Sequence, residues 1–369
     1  MTTDGRSSSS GGTDLDLIVD TDAHLSERAE QLVPYLEEPY ASLFGGGDEG
    51  ANVATPSYPK DELFRSLGGK VQWSDVSTPE ALRESMSEFG IDYVLITPTL
   101  NLYLPIFSDE RFAHALSKAY NDFVVAEFLD EGDEGFKAAI TLSPLAPHRA
   151  AEEIDRLADH PDMVAAIVGS TGIFPPLGDR RYDPIFEALS AHDLPLVLHG
   201  ATGSFISAHP FIKRGLKSYW ELHIVSHPFS QMIQMTSLVG QGVPERFPDL
   251  DIVMQEAGIG WIPFTMYRMD NEYGKRRSEV PILEQKPSEY VRDQFYFTSQ
   301  PMAEPENTEH LEWMIRMFGG QDRLMFSTDY PHYDFDTPEE LYRMIRHRFD
   351  DETVRKIFGE TAREVFDLG

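Results

Sequence analysis

Eight short runs of mostly apolar residues punctuate the chain, each closed by polar or turn-forming residues. They cover 15–22, 92–98, 136–144, 163–170, 195–200, 251–258, 294–300 and 323–330. Their centres are rich in Val, Ile, Leu and Ala, the pattern of strands buried on both faces. Between them, apolar residues recur at helical spacing over 78–90, 109–130, 148–159, 183–193 and 308–319, and a helical segment over 351–368 closes the sequence. Eight strands alternating with helices predict an α/β fold, a (β/α)8 TIM barrel with the helices outside. A doubly wound open sheet fits less well, because no Gly-rich phosphate loop follows the first strand. Two connections are too long for simple loops and predict long insertions after strands 1 and 5: residues 25–77, and residues 201–250 with a helix from Pro228 to Val239.

Composition adds limits to this pattern. Residues 1–14 are Ser/Gly-biased and read as a flexible tail, which leaves 15–369 as a single domain. The tail has neither a basic start nor an apolar core, and no apolar run approaches the roughly 18 residues of a membrane span. A cytoplasmic location is therefore expected. There are no cysteines, so any metal must be held by His, Asp or Glu. The net charge is −31, with 62 acidic residues against 31 basic ones, of which only 9 are Lys. Such a surface repels nucleic acid and anionic membranes. Its acidic, Lys-poor character resembles that of cytosolic proteins from salt-loving organisms, whose internal salt screens the repulsion, and favours that expectation over an ordinary acidic cytosolic enzyme.

In barrels of this kind the chemistry sits at the C-terminal ends of the strands. Those ends carry Asp22 and His24 on strand one, His199 on five, Glu256 on six, Thr298 and Gln300 on seven, and Asp329 with His332 on eight. In VDTDAHL, residues 19–25, Asp20, Asp22 and His24 alternate and share one face of the strand. Two imidazoles and two carboxylates converging on one mouth suit a divalent cation such as Zn²⁺, Mn²⁺ or Fe²⁺. Taken singly, each of these residues is better read as a polar strand end in water. The set on strands one, five, six and eight favours the site.

These motifs resemble a known family. VDTDAHL, PLVLHG (195–200), RFPDLDIVMQEAGIGWIP (246–263) and FSTDYPH (326–332) are together similar to the amidohydrolase superfamily, in the branch that includes aminocarboxymuconate-semialdehyde decarboxylase and related aromatic-acid decarboxylases. The resemblance implies one metal, zinc first and manganese or iron as alternatives, held by Asp22, His24, His199 and Asp329. It implies that Asp329 also moves a proton, and that the barrels pair into homodimers. Two departures stand out. Asp22 replaces the first His of the usual His-x-His pair, and Glu256 replaces the catalytic His that decarboxylases of the branch carry on strand six. A carboxylate at 256 acts as a base, a further ligand or an anchor for positive charge.

The leading functional expectation is therefore a metal-dependent hydrolase acting on a small organic acid, ester, lactone or amide through activated water. The alternatives are metal-dependent decarboxylation of an aromatic or unsaturated acid, and a non-catalytic binding barrel. Asp329, Glu256 and His227 are the expected catalytic residues, with His227 at a helix N-terminus, and His332 is expected at the substrate. Asp20 reads as a partner for a ligand imidazole or for a basic neighbour. Arg246, Arg268 and Arg323 are candidates to pair a substrate carboxylate. Trp261 and Trp313 read as packing residues, and His192 as exposed.

Overall fold

The structure, a computed structural model, describes residues 13–45, 75–130, 133–209, 215–216 and 218–369. Most of the expected N-terminal tail (1–12) and the middle of the first insertion (46–74) lie outside the described residues. Eight parallel strands form one sheet in sequential order: β1 Val19–His24, β2 Tyr93–Thr97, β3 Phe136–Thr141, β4 Met163–Gly169, β5 Leu196–His199, β6 Ile252–Gln255, β7 Phe295–Thr298 and β8 Leu324–Met325. Every expected strand is present. The sheet closes on itself where the chain beyond β8 meets β1, through Thr21 N–H to the Phe326 carbonyl (3.1 Å), Asp329 N–H to the Asp22 carbonyl (2.9 Å) and His24 N–H to the Tyr330 carbonyl (2.8 Å). The fold is a (β/α)8 barrel.

One main helix follows each strand: α1 Pro79–Phe89, α2 Glu110–Val124, α3 Pro147–Leu157, α4 Asp183–Ala191, α5 Tyr219–Gly240, α6 Trp261–Arg276, α7 Thr308–Phe318 and α8 Pro338–Ile345. Their ends follow local chemistry. Thr78 caps α1 by accepting from the Ala81 amide, Pro79 stands in the first turn, and Gly90 ends the helix in the left-handed conformation that a side chain disfavours. Inside the barrel, Val19, Leu95, Ala139, Ala165, Ile167, Val197, Val253 and Met325 pack as an inner cluster. The outer strand faces and the helices make the larger core around them. Burial on both faces explains the near-continuous apolar runs in the sequence.

The second insertion departs from expectation. Its helix starts at Tyr219, not Pro228, and runs for 22 residues, with Ser218 and Glu221 forming a reciprocal capping box at its start. Pro228 and His227 therefore lie inside α5. This helix is tied to the strand ends by Gln231, whose Nε2 donates to the carbonyls of Leu198 (2.7 Å) and Gln255 (2.9 Å). Those carbonyls immediately precede His199 and Glu256. Replacing Gln231 by Leu leaves both without this donor in a buried setting. The variant is expected to lose about 1–3 kcal/mol of stability, read as a lowered guanidinium midpoint with an unchanged slope.

Candidate metal and active site

Four side chains meet at the C-terminal mouth of the barrel with almost no exposure. Asp22, His24 and Asp329 are fully buried and His199 is 1% exposed. His24 Nε2 lies 3.1 Å from His199 Nε2, 3.5 Å from Asp22 Oδ1 and 3.3 Å from Asp329 Oδ1. His199 Nε2 lies 3.3 Å from Asp22 Oδ2. Separations of this size are the edges of a coordination polyhedron with bonds of roughly 2.0–2.2 Å.

The tautomers sharpen this geometry. The Thr99 hydroxyl donates to the Leu25 carbonyl (2.8 Å), so its oxygen accepts from His24 Nδ1 (3.2 Å). The Gly200 carbonyl accepts from His199 Nδ1 (2.5 Å). With both Nδ1 atoms protonated, the two Nε2 atoms present lone pairs to each other, and neither neutral ring can donate. Both oxygens of Asp22 and Oδ2 of Asp329 are buried without a hydrogen-bond partner. Lone pairs and orphaned carboxylate oxygens that converge in the dry interior are costly without a cation between them. The residues present fit a divalent metal with a mixed N/O donor set.

A second layer sets these groups in place. Asp20 does not touch an imidazole or a basic neighbour. It accepts from the Asp22 amide (3.1 Å) and from the Thr328 amide (2.8 Å) and hydroxyl (2.5 Å), pinning β1 to the chain that presents Asp329. Burial pushes its carboxyl up to about 7 against those hydrogen bonds. Glu256 and Asp329 both adopt left-handed backbone conformations, with φ of 47° and 63°. Such φ values are uncommon outside glycine, and at a site they mark side chains aimed by a strained backbone. The Glu256 amide donates to the Thr298 hydroxyl (3.2 Å), which is the use found for that strand-seven residue.

Around the four-residue cluster stand three more groups. Glu256 Oε2 lies 3.3 Å from His199 Nε2 and 3.4 Å from His227 Nε2. His332 Nδ1 lies 2.5 Å from Asp329 Oδ1, with its ring 4.3 Å from that of His24. The His227 ring rests against the end of β5 only because residue 200 is glycine; a Cβ there would overlap the ring. Burial, with Asp329, Asp22 and Asp334 nearby, drives the Glu256 carboxyl well above its ordinary range. Burial also disfavours ionised Asp329, but His332 and His24 beside it hold it well below the usual carboxylate range. Burial, then His223 and His199, pushes the His227 imidazole well down.

The cationic candidates are not at the mouth. Arg246 is held by Asp183 and the Gly178 carbonyl, Arg268 pairs with Glu272 on the surface of α6, and Arg323 stacks over Tyr296 just before β8, at the opposite end of the strands. Trp261 is packed, its indole donating to the Gly258 carbonyl, whereas Trp313 is 60% exposed. His192 is half-buried on an ion pair with Asp155. Sequence reasoning missed Thr99, Gln231 and Gly200.

A family model described as amidohydrolase matches residues 19–368. The chain belongs to the amidohydrolase family. The gamma-resorcylate decarboxylase of Polaromonas sp. (strain JS666 / ATCC BAA-500) is 25% identical over 298 residues, 77% of this chain and 85% of that protein. The 2-amino-3-carboxymuconate-6-semialdehyde decarboxylase of Dictyostelium discoideum is 22% identical over 343 residues, 91% of this chain and 88% of its own length. Among solved structures, a dihydroxybenzoic acid decarboxylase from Polaromonas sp. JS666, with bound manganese and the inhibitor 2-nitroresorcinol, superposes with a TM-score of 0.68 at 20% identity, covering 96% of this chain and 98% of that one. Membership of this family makes the chain an enzyme, and the non-catalytic barrel is set aside. No helix among the described residues is long and apolar enough to cross a membrane.

Thr99 tests the geometry without touching the cluster's ligand atoms. Thr99→Val removes the acceptor that keeps the His24 proton on Nδ1. Manganese affinity, measured by calorimetric titration, is expected to fall by roughly 10–100-fold, with secondary structure unchanged by circular dichroism.

Proposed function

We propose that this amidohydrolase-family enzyme is a metal-dependent, non-oxidative decarboxylase of an aromatic or unsaturated acid. The observation that carries the reading is that its relatives, matched along 85% and 88% of their own lengths, are decarboxylases of such acids. That favours the second expectation drawn from the sequence over hydrolysis. Asp22, His24, His199 and Asp329 would hold the cation. Manganese is the first metal to test, in place of the zinc expected from sequence, because a structural neighbour carries it. When bound, the cation supplies positive charge that holds the substrate's oxygen atoms and offsets charge that develops on them.

The chain's own groups then divide the proton work. Asp329, kept ionised beside His332 and His24, serves as a ligand and orients His332 toward the substrate. Glu256, driven toward its neutral form by burial and three carboxylates, carries a proton in the mouth. It delivers that proton to the carbon bearing the carboxylate. The carbon–carbon bond then breaks, its electron pair stays with the substrate carbon, and CO₂ leaves. Glu256 regains a proton from water by way of His227, 3.4 Å away. Burial of the cluster excludes bulk water from the step.

One observation supports hydrolysis as a second reading: Glu256 stands where the resemblance implies a histidine. The test separates the two. Manganese-loaded protein in high salt is offered hydroxybenzoates and unsaturated dicarboxylates alongside neutral esters and lactones. CO₂ release is expected, and in D₂O deuterium should appear at the vacated carbon. Glu256→Gln and Asp329→Asn should each lower kcat by about 10²-fold or more. Turnover of esters or lactones with no CO₂ from any acid would return the assignment to hydrolysis.

A further inference from the structure

Beside the four-residue cluster lies a second group of metal-ligating side chains. His223 and His227 are four residues apart on α5, so their rings share one face of the helix, with centroids 5.1 Å apart. Glu256 faces them from the end of β6, and the three offer ligand atoms that all lie within 4.8 Å of one another. A fourth oxygen is close: Asp334 Oδ2 lies 3.8 Å from His223 Nδ1, and Asp334 Oδ1 is buried with no hydrogen-bond partner.

Charge points the same way. Asp22, Glu256, Asp329 and Asp334 bring four carboxylates into one mouth, and among the described ion pairs they meet only imidazoles, never Lys or Arg. Asp334 Oδ1, buried without a partner, is costly in that setting. A second divalent cation close to Glu256 and Asp334 would give that oxygen a partner.

We propose that His223, His227 and Glu256, with Asp334 alongside, form a second divalent-cation site, and that its occupant inhibits the enzyme. The N₂O donor set suits a first-row metal such as Zn²⁺ or Mn²⁺ rather than Mg²⁺ or Ca²⁺. Glu256 would then stand between the two sites, since the same Oε2 atom lies 3.3 Å from His199 and 3.4 Å from His227. A cation on Glu256 and His227 occupies the pair that carries the substrate's proton, so excess metal stops turnover while the first site stays filled. This inhibitory role rests on the decarboxylase reading above; the site itself does not. His223 takes no part in the proposed reaction and is half-buried, with the Tyr333 hydroxyl 3.3 Å from its Nδ1.

The experiment is a manganese titration of chelator-treated full-length protein, with bound metal counted by mass spectrometry and the spectrum of the bound ions followed by electron paramagnetic resonance. Wild type is expected to bind two equivalents, the second more weakly, with spin coupling between neighbouring ions. His223→Ala is expected to keep the first equivalent, which also shows that it folds, and to lose the second together with the coupling. In turnover assays, excess Zn²⁺ or Mn²⁺ should suppress wild type by about tenfold or more, within the roughly 10²–10⁴ worth of a general acid, and leave His223→Ala active. One equivalent in wild type, with no coupling, overturns the second site and leaves the proposed function standing. No bound metal at all overturns both. Equal inhibition of wild type and variant overturns the inhibitory role.

Discussion

The site depends on a clash of like groups. Two imidazole nitrogens stand 3.1 Å apart with their protons committed elsewhere, and the carboxylate between them has no donor for either oxygen. Lone pairs facing lone pairs in a dry interior repel, and the barrel holds them together only by spending rigidity on them. A preorganised set of acceptors of this kind has one good partner, a small divalent cation, and the fold keeps it ready for that partner.

That rigidity can be traced. The seam between β1 and the chain after β8 is where the barrel could open, because β8 is only two residues long. Asp20 crosses the seam with two hydrogen bonds to Thr328, so the carboxylate two residues before Asp22 fixes the segment that presents Asp329. On the other side, Gln231 locks α5 to the carbonyls just before His199 and Glu256. With the strand ends fixed, left-handed backbone at Glu256 and Asp329 becomes affordable, and it turns both side chains inward.

Much of this was legible in the sequence, and the failures have physical causes. Strands were readable because burial on both faces leaves apolar runs, and strand-end polar residues were readable because a buried barrel has no other place for them. The start of α5 was misplaced because proline is favoured in a first helical turn, so Pro228 read as a beginning. The true signal, Ser218 followed three residues later by Glu221, was present and unread. Asp20 was read as a partner of side chains when it bonds mostly to backbone, a distinction that depends on register across the barrel seam. The arginines misled because sequence gives no depth: Arg323 sits just before β8, at the opposite end from the chain that presents Asp329.

The corrected helix also bears on the main oddity of the chain. If α5 began at Pro228, His227 would be a terminal residue with its ring free to leave the mouth. As an interior residue, with Gly200 clearing space for its ring, His227 is delivered to within 3.4 Å of Glu256. Loss of the strand-six imidazole thus need not remove imidazole from the mouth. The imidazole enters from α5 instead of β6, and the strand position is given to a carboxylate that touches both this ring and His199. Two elements, β6 and α5, thus place a carboxylate and an imidazole side by side at the mouth.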